Sequence, residues 1–278
     1  MNATNESQDV ELDLLLEGVF RMYHYDFRQY VRSSLRRRVH QALLALKHTS
    51  ITSLLDRILH DPRAFAQFLP HMTIQVSDMF RDPSYWLALR KRVVPHLSTY
   101  PFPRVWIAGC GAGEEAYSMA ILLAEEGLLA RAQIYATDIS VESLAEAKAG
   151  AYQLDRVRSF SDNYFESGGK ASLSDYYVTT SSRACFVPAL RERILFADHC
   201  LATDTAFAEV LLVSCRNVLI YFDRTLQDRA VGVFCDALSP RGFLGLGDKE
   251  TLRFSAHMKA FEPFVAEEKI YRKGERAT

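Results

Sequence analysis

The stretch RVWIAGCGAGEEAYS, residues 104–118, constrains the fold of this chain more than any other. Val105-Trp106-Ile107-Ala108 is a short apolar run of the kind that parallel sheets bury on both faces. Gly109, Gly111 and Gly113 follow at alternate positions, where positive φ is permitted and no Cβ separates backbone from ligand. From Glu114 onward, Ala116, Met119, Ala120, Leu122 and Leu123 recur at helical spacing, so the loop opens a helix. Strand, glycine loop and helix make a nucleotide-binding turn. A second apolar strand, Gln133–Thr137, ends in Asp138, the place from which an acid holds a ribose diol. Gly109, Gly111 and Asp138 are therefore candidate contacts to an adenosine.

The loop also says which adenosine compound fits. A dinucleotide fingerprint needs a small residue at its sixth position for close helix packing, and here that position is Glu114, followed by Glu115. Two carboxylates suit a helix N-terminus but repel a pyrophosphate. A cofactor with no phosphates and a positive charge fits better, and S-adenosyl-L-methionine carries a sulfonium and an α-amino group.

Composition narrows the class. The 278 residues are 49% hydrophobic and 24% charged, with a formal net charge of −1. That balance argues against general nucleic-acid binding. No apolar run reaches the length of a membrane span, and the acidic start MNATNESQDVELD does not resemble a signal peptide. Cys110, Cys185, Cys200, Cys215 and Cys235 are scattered and lack a CxxC pair, which reads as reduced thiols in a cytoplasm with no zinc site.

Residues 12–97 read as helices only. Val31, Leu35, Val39, Leu43 and Leu46 step along one helical face, and Arg28, Arg32 and Arg36 form a parallel stripe with Arg37 and Arg38 beside it. Five arginines in eleven residues without one acid suggest a docking surface for an acidic partner, the alternative being a solvated face. Asp82-Pro83 sets an N-cap and first turn for a helix to about Leu97, and Tyr100-Pro101-Phe102-Pro103 makes a linker.

Beyond Asp138, a helix is expected over Val141–Ala149, then a Ser-, Gly- and Tyr-rich insertion at about 160–190 with a short strand at Tyr176–Thr180. Strands are expected at Ile194–Ala197, Val210–Val213 and Phe243–Leu246, with Lys269–Arg272 closing the sheet and a helix from Asp223 to about Leu238. The resulting fold class is α/β. It has a doubly wound, mostly parallel sheet over 100–278, a small all-α domain over 1–99 and a small inserted β-subdomain.

In this order the motifs resemble those of the chemotaxis receptor glutamate methyltransferases, the CheR family. The matching residues are the basic helix Ser34-Leu35-Arg36-Arg37-Arg38, the segment Met79-Phe80-Arg81-Asp82-Pro83, and the glycine loop with Glu114-Glu115-Ala116-Tyr117-Ser118. Ala136-Thr137-Asp138-Ile139 and Cys215-Arg216-Asn217-Val218-Leu219-Ile220-Tyr221-Phe222 complete the set, and the similarity covers nearly the whole chain. The resemblance implies S-adenosyl-L-methionine as methyl donor, S-adenosyl-L-homocysteine as product, and glutamates of a chemoreceptor's cytoplasmic helical domain as acceptors. It implies cofactor contacts at Gln75, Ser77, Arg81, Glu115, Asp138, Cys200, Leu201, Cys215, Arg216 and Asn217. Gln75 and Ser77 replace the family's usual Asn and Thr, and Cys200 replaces an Asn that holds adenine, which weakens that contact. Members that tether to a receptor's C-terminal pentapeptide have a short Gly-rich loop where this chain has the longer Ser167–Ser182, so the tether is not expected here.

A glutamate carboxylate, with an ordinary pKa of about 4.3, is already the nucleophile at neutral pH. Arg81 is expected to orient it and Tyr221 to place a hydroxyl on the same oxygen, while Arg28, Arg32, Arg36 and Arg37 contact the receptor. Two other functions stay open: a methyltransferase of another substrate, and a regulatory module that binds the cofactor with little or no turnover. Against an amino-directed enzyme, the fourth strand is followed by Cys215-Arg216-Asn217-Val218 and not by an N/D-P-P-Y/F motif.

Overall fold

The computed structural model describes residues 3–73 and 77–275. Four helices come first: α1 (Ala3–Tyr23), α2 (Arg32–Ala45), α3 (Ile51–His60) and α4 (Pro62–Met72). Ser50 caps α3 by accepting from the Ser53 amide, and Asp61 caps α4 just ahead of Pro62. Their apolar faces close on a core of their own that includes Leu12, Leu16, Leu35, Val39, Leu54 and Phe68.

The next helical stretch belongs elsewhere. It runs as α5 (Pro83–Ala88), a π turn over Leu89–Val93, and α6 (Val94–Leu97), the irregularity falling just before Pro95, which has no N–H to continue the ladder. The sequence assigned it to the N-terminal domain, yet Tyr85, Trp86, Leu89, Val93 and Leu97 pack into the core of the sheet. The two cores therefore divide between Met72 and Met79, not at residue 99. Asp82 stands at the N-cap of α5 as expected, but in a left-handed conformation (φ 55°) and with no side-chain capping bond.

The remaining helices are α7 (Glu114–Glu125), α8 (Val141–Ala149), α9 (Leu154–Ser159), α10 (Ser161–Glu166), α11 (Pro188–Arg191) and α12 (Arg224–Ala237). The strands are β1 (Arg104–Ala108), β2 (Gln133–Asp138), β3 (Ala151–Gln153), β4 (Tyr177–Thr179), β5 (Arg183–Phe186), β6 (Ile194–Asp198), β7 (Val210–Cys215), β8 (Leu238–Leu246), β9 (Phe261–Val265) and β10 (Ile270–Lys273). The main sheet has the order β6-β2-β1-β7-β8-β10-β9. Its first five strands are parallel and its last two antiparallel. The chain reverses its winding at β1, which lies between β2 and β7, so the crevice outside their carboxyl ends is where ligands bind in such sheets.

Three expectations need correcting. β10 does not close the sheet, because β9, unforeseen in the sequence, lies outside it. The insertion starts earlier than residue 160, since β3 pairs antiparallel with β5 in a three-stranded sheet of order β3-β5-β4. The strand expected at Phe243–Leu246 begins earlier, at Leu238: Pro240-Arg241-Gly242, with Arg241 at φ 64°, makes a kink inside β8, whose register against β7 shifts.

Candidate active site

The glycine loop crosses from β1 to α7 with Gly109, Gly111 and Gly113 all at positive φ. A Cβ on Gly109 would lie 2.4 Å from Val218 Cγ2, so that glycine is fixed by the loop behind it. A Cβ on Gly111 would meet nothing within 4 Å, because this residue faces the open crevice. The Gly111 amide donates to Asp138 Oδ2 at 2.8 Å, and the Ser140 amide donates to Oδ1 at 2.9 Å. Each carboxylate oxygen thus keeps further accepting capacity. Burial raises the Asp138 pKa, and the Ser140, Gly111 and Ile139 amides oppose that rise.

Glu114 and Glu115 part company at the start of α7. Glu115 lines the crevice, accepts from Ser214 Oγ at 2.6 Å and lies 3.5 Å from Arg216 Nη1. Ser214 is in turn bonded to the Tyr85 hydroxyl at 2.8 Å. Glu114 turns inward to complete burial, where Arg156 Nη2 lies 2.7 Å away but off the line of a hydrogen bond. Desolvation pushes its pKa up to about 7. The rest of the motif is scaffolding. Tyr117 donates to the Ala147 carbonyl at 2.9 Å, and Ser118 accepts from the Phe80 amide at 2.9 Å.

That last bond helps place Arg81, which stands between two left-handed non-glycine residues, Phe80 (φ 50°) and Asp82 (φ 55°). Two such residues in a row of three are a local strain of the kind found at ligand-binding loops. The Arg81 carbonyl accepts from Trp86 Nε1 at 3.0 Å, and its side chain lines the crevice without an ion pair among the described residues. Asp82, released from capping, pairs with Arg216 Nη2 at 2.6 Å. Arg216 is buried with its guanidinium carbon 4.1 Å from the centre of the Tyr85 ring. Its Nε and Nη1 have no hydrogen-bond partner among the described residues.

Ser77, Cys200, Leu201, Asn217 and Tyr221 line the same crevice. Gln75 lies outside the described residues. Cys215 is wholly buried at the end of β7 and is not in the lining; burial drives its thiol pKa well up. Asn217 takes φ 61° in a loop that Glu250 holds from beneath, accepting from the amides of Asn217, Val218, Ile220 and Gly247 at 2.6–3.3 Å. The helical unit joins in through the main chain. Val31 N donates to the Tyr221 carbonyl and Asp223 N to the Gln29 carbonyl, both at 2.8 Å, around a bridge between Tyr30 and Phe222.

The arginine stripe differs from its expected form. α2 begins at Arg32, so Arg28 is not on it. Nor do these side chains face an empty surface: α1, and Asp26 just beyond its end, supply the acids that residues 28–38 lack. Arg28 pairs with Glu17 and Asp26, Arg32 with Asp9 and Asp13, and Arg36 with Asp9. Arg37 is exposed and has no ion pair among the described residues. Arg38 turns the other way, is buried, and reaches the crevice. Sequence reasoning missed Arg38 as a crevice-lining residue and Glu250 as the support of the Asn217 loop. Arg38 was detectable, since it lies one turn from Leu35 and Ala42 on the face that α2 buries. Nothing in the sequence marked Glu250.

Two family models match the chain: the CheR methyltransferase SAM binding domain over residues 75–269, and the CheR methyltransferase all-alpha domain over residues 10–73. The chain belongs to the CheR methyltransferase family. The protein Cher3 of Pseudomonas putida is 50% identical over 97% of this chain and 99% of its own length. A chemotaxis protein methyltransferase of Listeria innocua is 29% identical over 88% of this chain and 92% of its own. Among solved structures, the glycopeptide N-methyltransferase MtfA with sinefungin shares 11% identity at a TM-score of 0.38, covering 62% of this chain and 50% of that one.

As a CheR methyltransferase the chain uses S-adenosylmethionine, and its crevice fits that molecule. Asp138 retains accepting capacity for a diol, Glu115 offers a carboxylate to an amine, and Arg216 has two buried nitrogens without a hydrogen bond. No helix among the described residues is long and apolar enough to cross a membrane, and no group of three His, Cys, Asp or Glu among them could hold a metal ion.

Proposed function

We propose that this protein methyl-esterifies glutamate side chains in the cytoplasmic helical domain of a chemoreceptor. One observation carries the reading. Besides the residues that meet the cofactor's expectations, the crevice is lined with Arg38, Arg81 and Tyr221, cations and a phenol suited to an anionic acceptor. Membership of a chemotaxis methyltransferase family supports the same acceptor.

When bound, S-adenosylmethionine supplies an electrophilic methyl group: a carboxylate oxygen forms the new C–O bond as the C–S bond breaks, the electron pair stays on sulfur, and no proton moves. The residues therefore have to bind, orient and exclude water, since no base is required. In this reading Asp138 holds the ribose, Gly109 and Gly111 give the backbone room, and Glu115 with Arg216 takes the amino-acid end. Ser77, Cys200, Leu201 and Asn217 line the remaining contacts. Arg81 orients the acceptor without a tight bidentate pair, which would blunt its nucleophilicity, and the Tyr221 hydroxyl directs one oxygen. Arg37, the outer arginine left without an ion pair, contacts the receptor.

The test is transfer of a radiolabelled methyl group from S-adenosylmethionine to purified cytoplasmic fragments of chemoreceptors. The expected label is protein-bound and lost as methanol in mild base, and it disappears when the methylated glutamates are changed to alanine. Label that resists base would assign the enzyme to a different acceptor atom.

A further inference from the structure

Arg38 is 4% exposed, yet no carboxylate pairs with it among the described residues. Its Nη1 donates to the Met72 carbonyl at 2.5 Å, at the end of α4, while Nε and Nη2 have no partner. The guanidinium carbon sits 4.7 Å from the centre of the Tyr221 ring, and Arg38 and Tyr221 line the crevice together. An uncompensated charge in such a place is costly, and here burial lowers the arginine's pKa, with the neighbouring Tyr221 and Tyr30 acting the other way. Every other arginine of the stripe but the exposed Arg37 has found an acid. A buried guanidinium with two unmatched donors calls for an anion, and a single hydrogen bond from it leaves the other carboxylate oxygen free to attack.

Two carboxylates enter this crevice in the proposed reaction, and two buried guanidinium groups keep nitrogens without a hydrogen bond, although Arg216 already pairs with Asp82. Arg216 hangs from the end of β7 beside Glu115, at the amino-acid end of the cofactor's place. Arg38 comes from the helical unit and packs against the Tyr221 ring in the same crevice. We propose that Arg38 receives the side-chain carboxylate of the substrate glutamate and selects it over the carboxamide of glutamine. This inference rests on the acceptor proposed above. A guanidinium accepts no hydrogen bond, so a carboxamide could offer it one oxygen and would leave its own NH₂ facing a cation. Arg32 and Arg36 have no part in this choice, since their charges are already matched by α1.

The test uses a probe that needs no receptor. Glutarate and its neutral analogue glutaramide are titrated by calorimetry into the full-length protein saturated with S-adenosylhomocysteine. Glutarate should bind wild type with a millimolar dissociation constant and glutaramide should not. Arg38→Met should weaken glutarate at least tenfold, and Arg38→Lys, which keeps the charge but not the fork, should recover part of the loss. Affinity for S-adenosylhomocysteine should change less than twofold in both variants. Unchanged glutarate affinity in Arg38→Met, or equal binding of glutaramide, overturns the inference, as does absence of glutarate binding to wild type. A large loss of S-adenosylhomocysteine affinity would give Arg38 to the cofactor instead and likewise overturn it. Because none of these outcomes depends on methyl transfer, failure of the receptor assay and failure of this assignment are told apart. If receptor methylation is found, Arg38→Met should raise KM for the receptor more than tenfold while Arg38→Lys raises it less.

Discussion

The outer and inner sides of α2 carry the same residue type and have opposite fates. On the outer side Arg32 and Arg36 lie half in solvent and are neutralised by Asp9 and Asp13 of α1. On the inner side Arg38 is sealed from water with two nitrogens unmatched. A run of arginines in sequence looks like one surface, but helical geometry distributes it over two environments with different energetics. Exposed pairs are worth about 0.2–1 kcal/mol each and weaken with salt. A buried guanidinium with unmatched nitrogens carries a desolvation cost that a bound anion would relieve.

The largest effect that would sharpen this contrast comes from Arg216, the other buried, half-matched guanidinium. Arg216→Met leaves Asp82 and Glu115 without their cation, so unfolding free energy should fall by about 2–4 kcal/mol in chemical denaturation, and S-adenosylhomocysteine should bind at least tenfold more weakly by calorimetry. Full retention of both properties would mean that buried arginines here are as dispensable as exposed ones.

Glu114 offers the acidic counterpart. Its folded pKa of about 7 lies above the ordinary 4.5, so the folded chain keeps a proton that the unfolded chain has released. This residue's contribution to stability is complete below the unfolded pKa and is lost as pH rises through the folded one. Between about pH 5 and about pH 8, Glu114→Gln should therefore gain up to about 3 kcal/mol relative to wild type in denaturant titrations. A constant difference across that range would show that Arg156 holds Glu114 ionised throughout.

Asp138→Ala removes the acceptors proposed for the ribose and should cost about 1.5–3 kcal/mol of cofactor binding by calorimetry. Equal affinity in the variant would take the diol away from Asp138. The smallest effect belongs to the outer face. Arg32→Gln with Arg36→Gln should lower stability by about 1 kcal/mol or less at low ionic strength, and the difference should vanish in molar salt. If the double variant loses several kcal/mol, the two sides of α2 are not so different after all.

Much of this was legible in the sequence. The glycine loop, Asp138 and the strand leading into Cys215-Arg216-Asn217 each couple a periodic apolar run to a backbone that needs particular residues, and those couplings are local. What escaped was long-range. The acids of α1 that neutralise Arg28, Arg32 and Arg36 stand between ten and thirty residues away in the chain, and only tertiary packing brings them together. Glu250 serves four amides, most of them some thirty residues distant, from a stretch with no periodic signal. Asp82-Pro83 reads locally as a cap, but a partner arginine 134 residues later drew the carboxylate away. Local grammar placed the elements; pairing across the chain decided what their charges do.

The seam between the helical unit and the loop that carries Tyr221 is written in main-chain hydrogen bonds. Amides and carbonyls belong to every residue, so exchanging the side chains of Gln29 or Val31 leaves the seam intact, and only proline at a donor such as Val31 or Asp223 erases a strand of it. The surface of the helical unit is thereby free to drift toward new recognition partners, generation after generation, without loosening the grip that keeps Arg38 over its phenol.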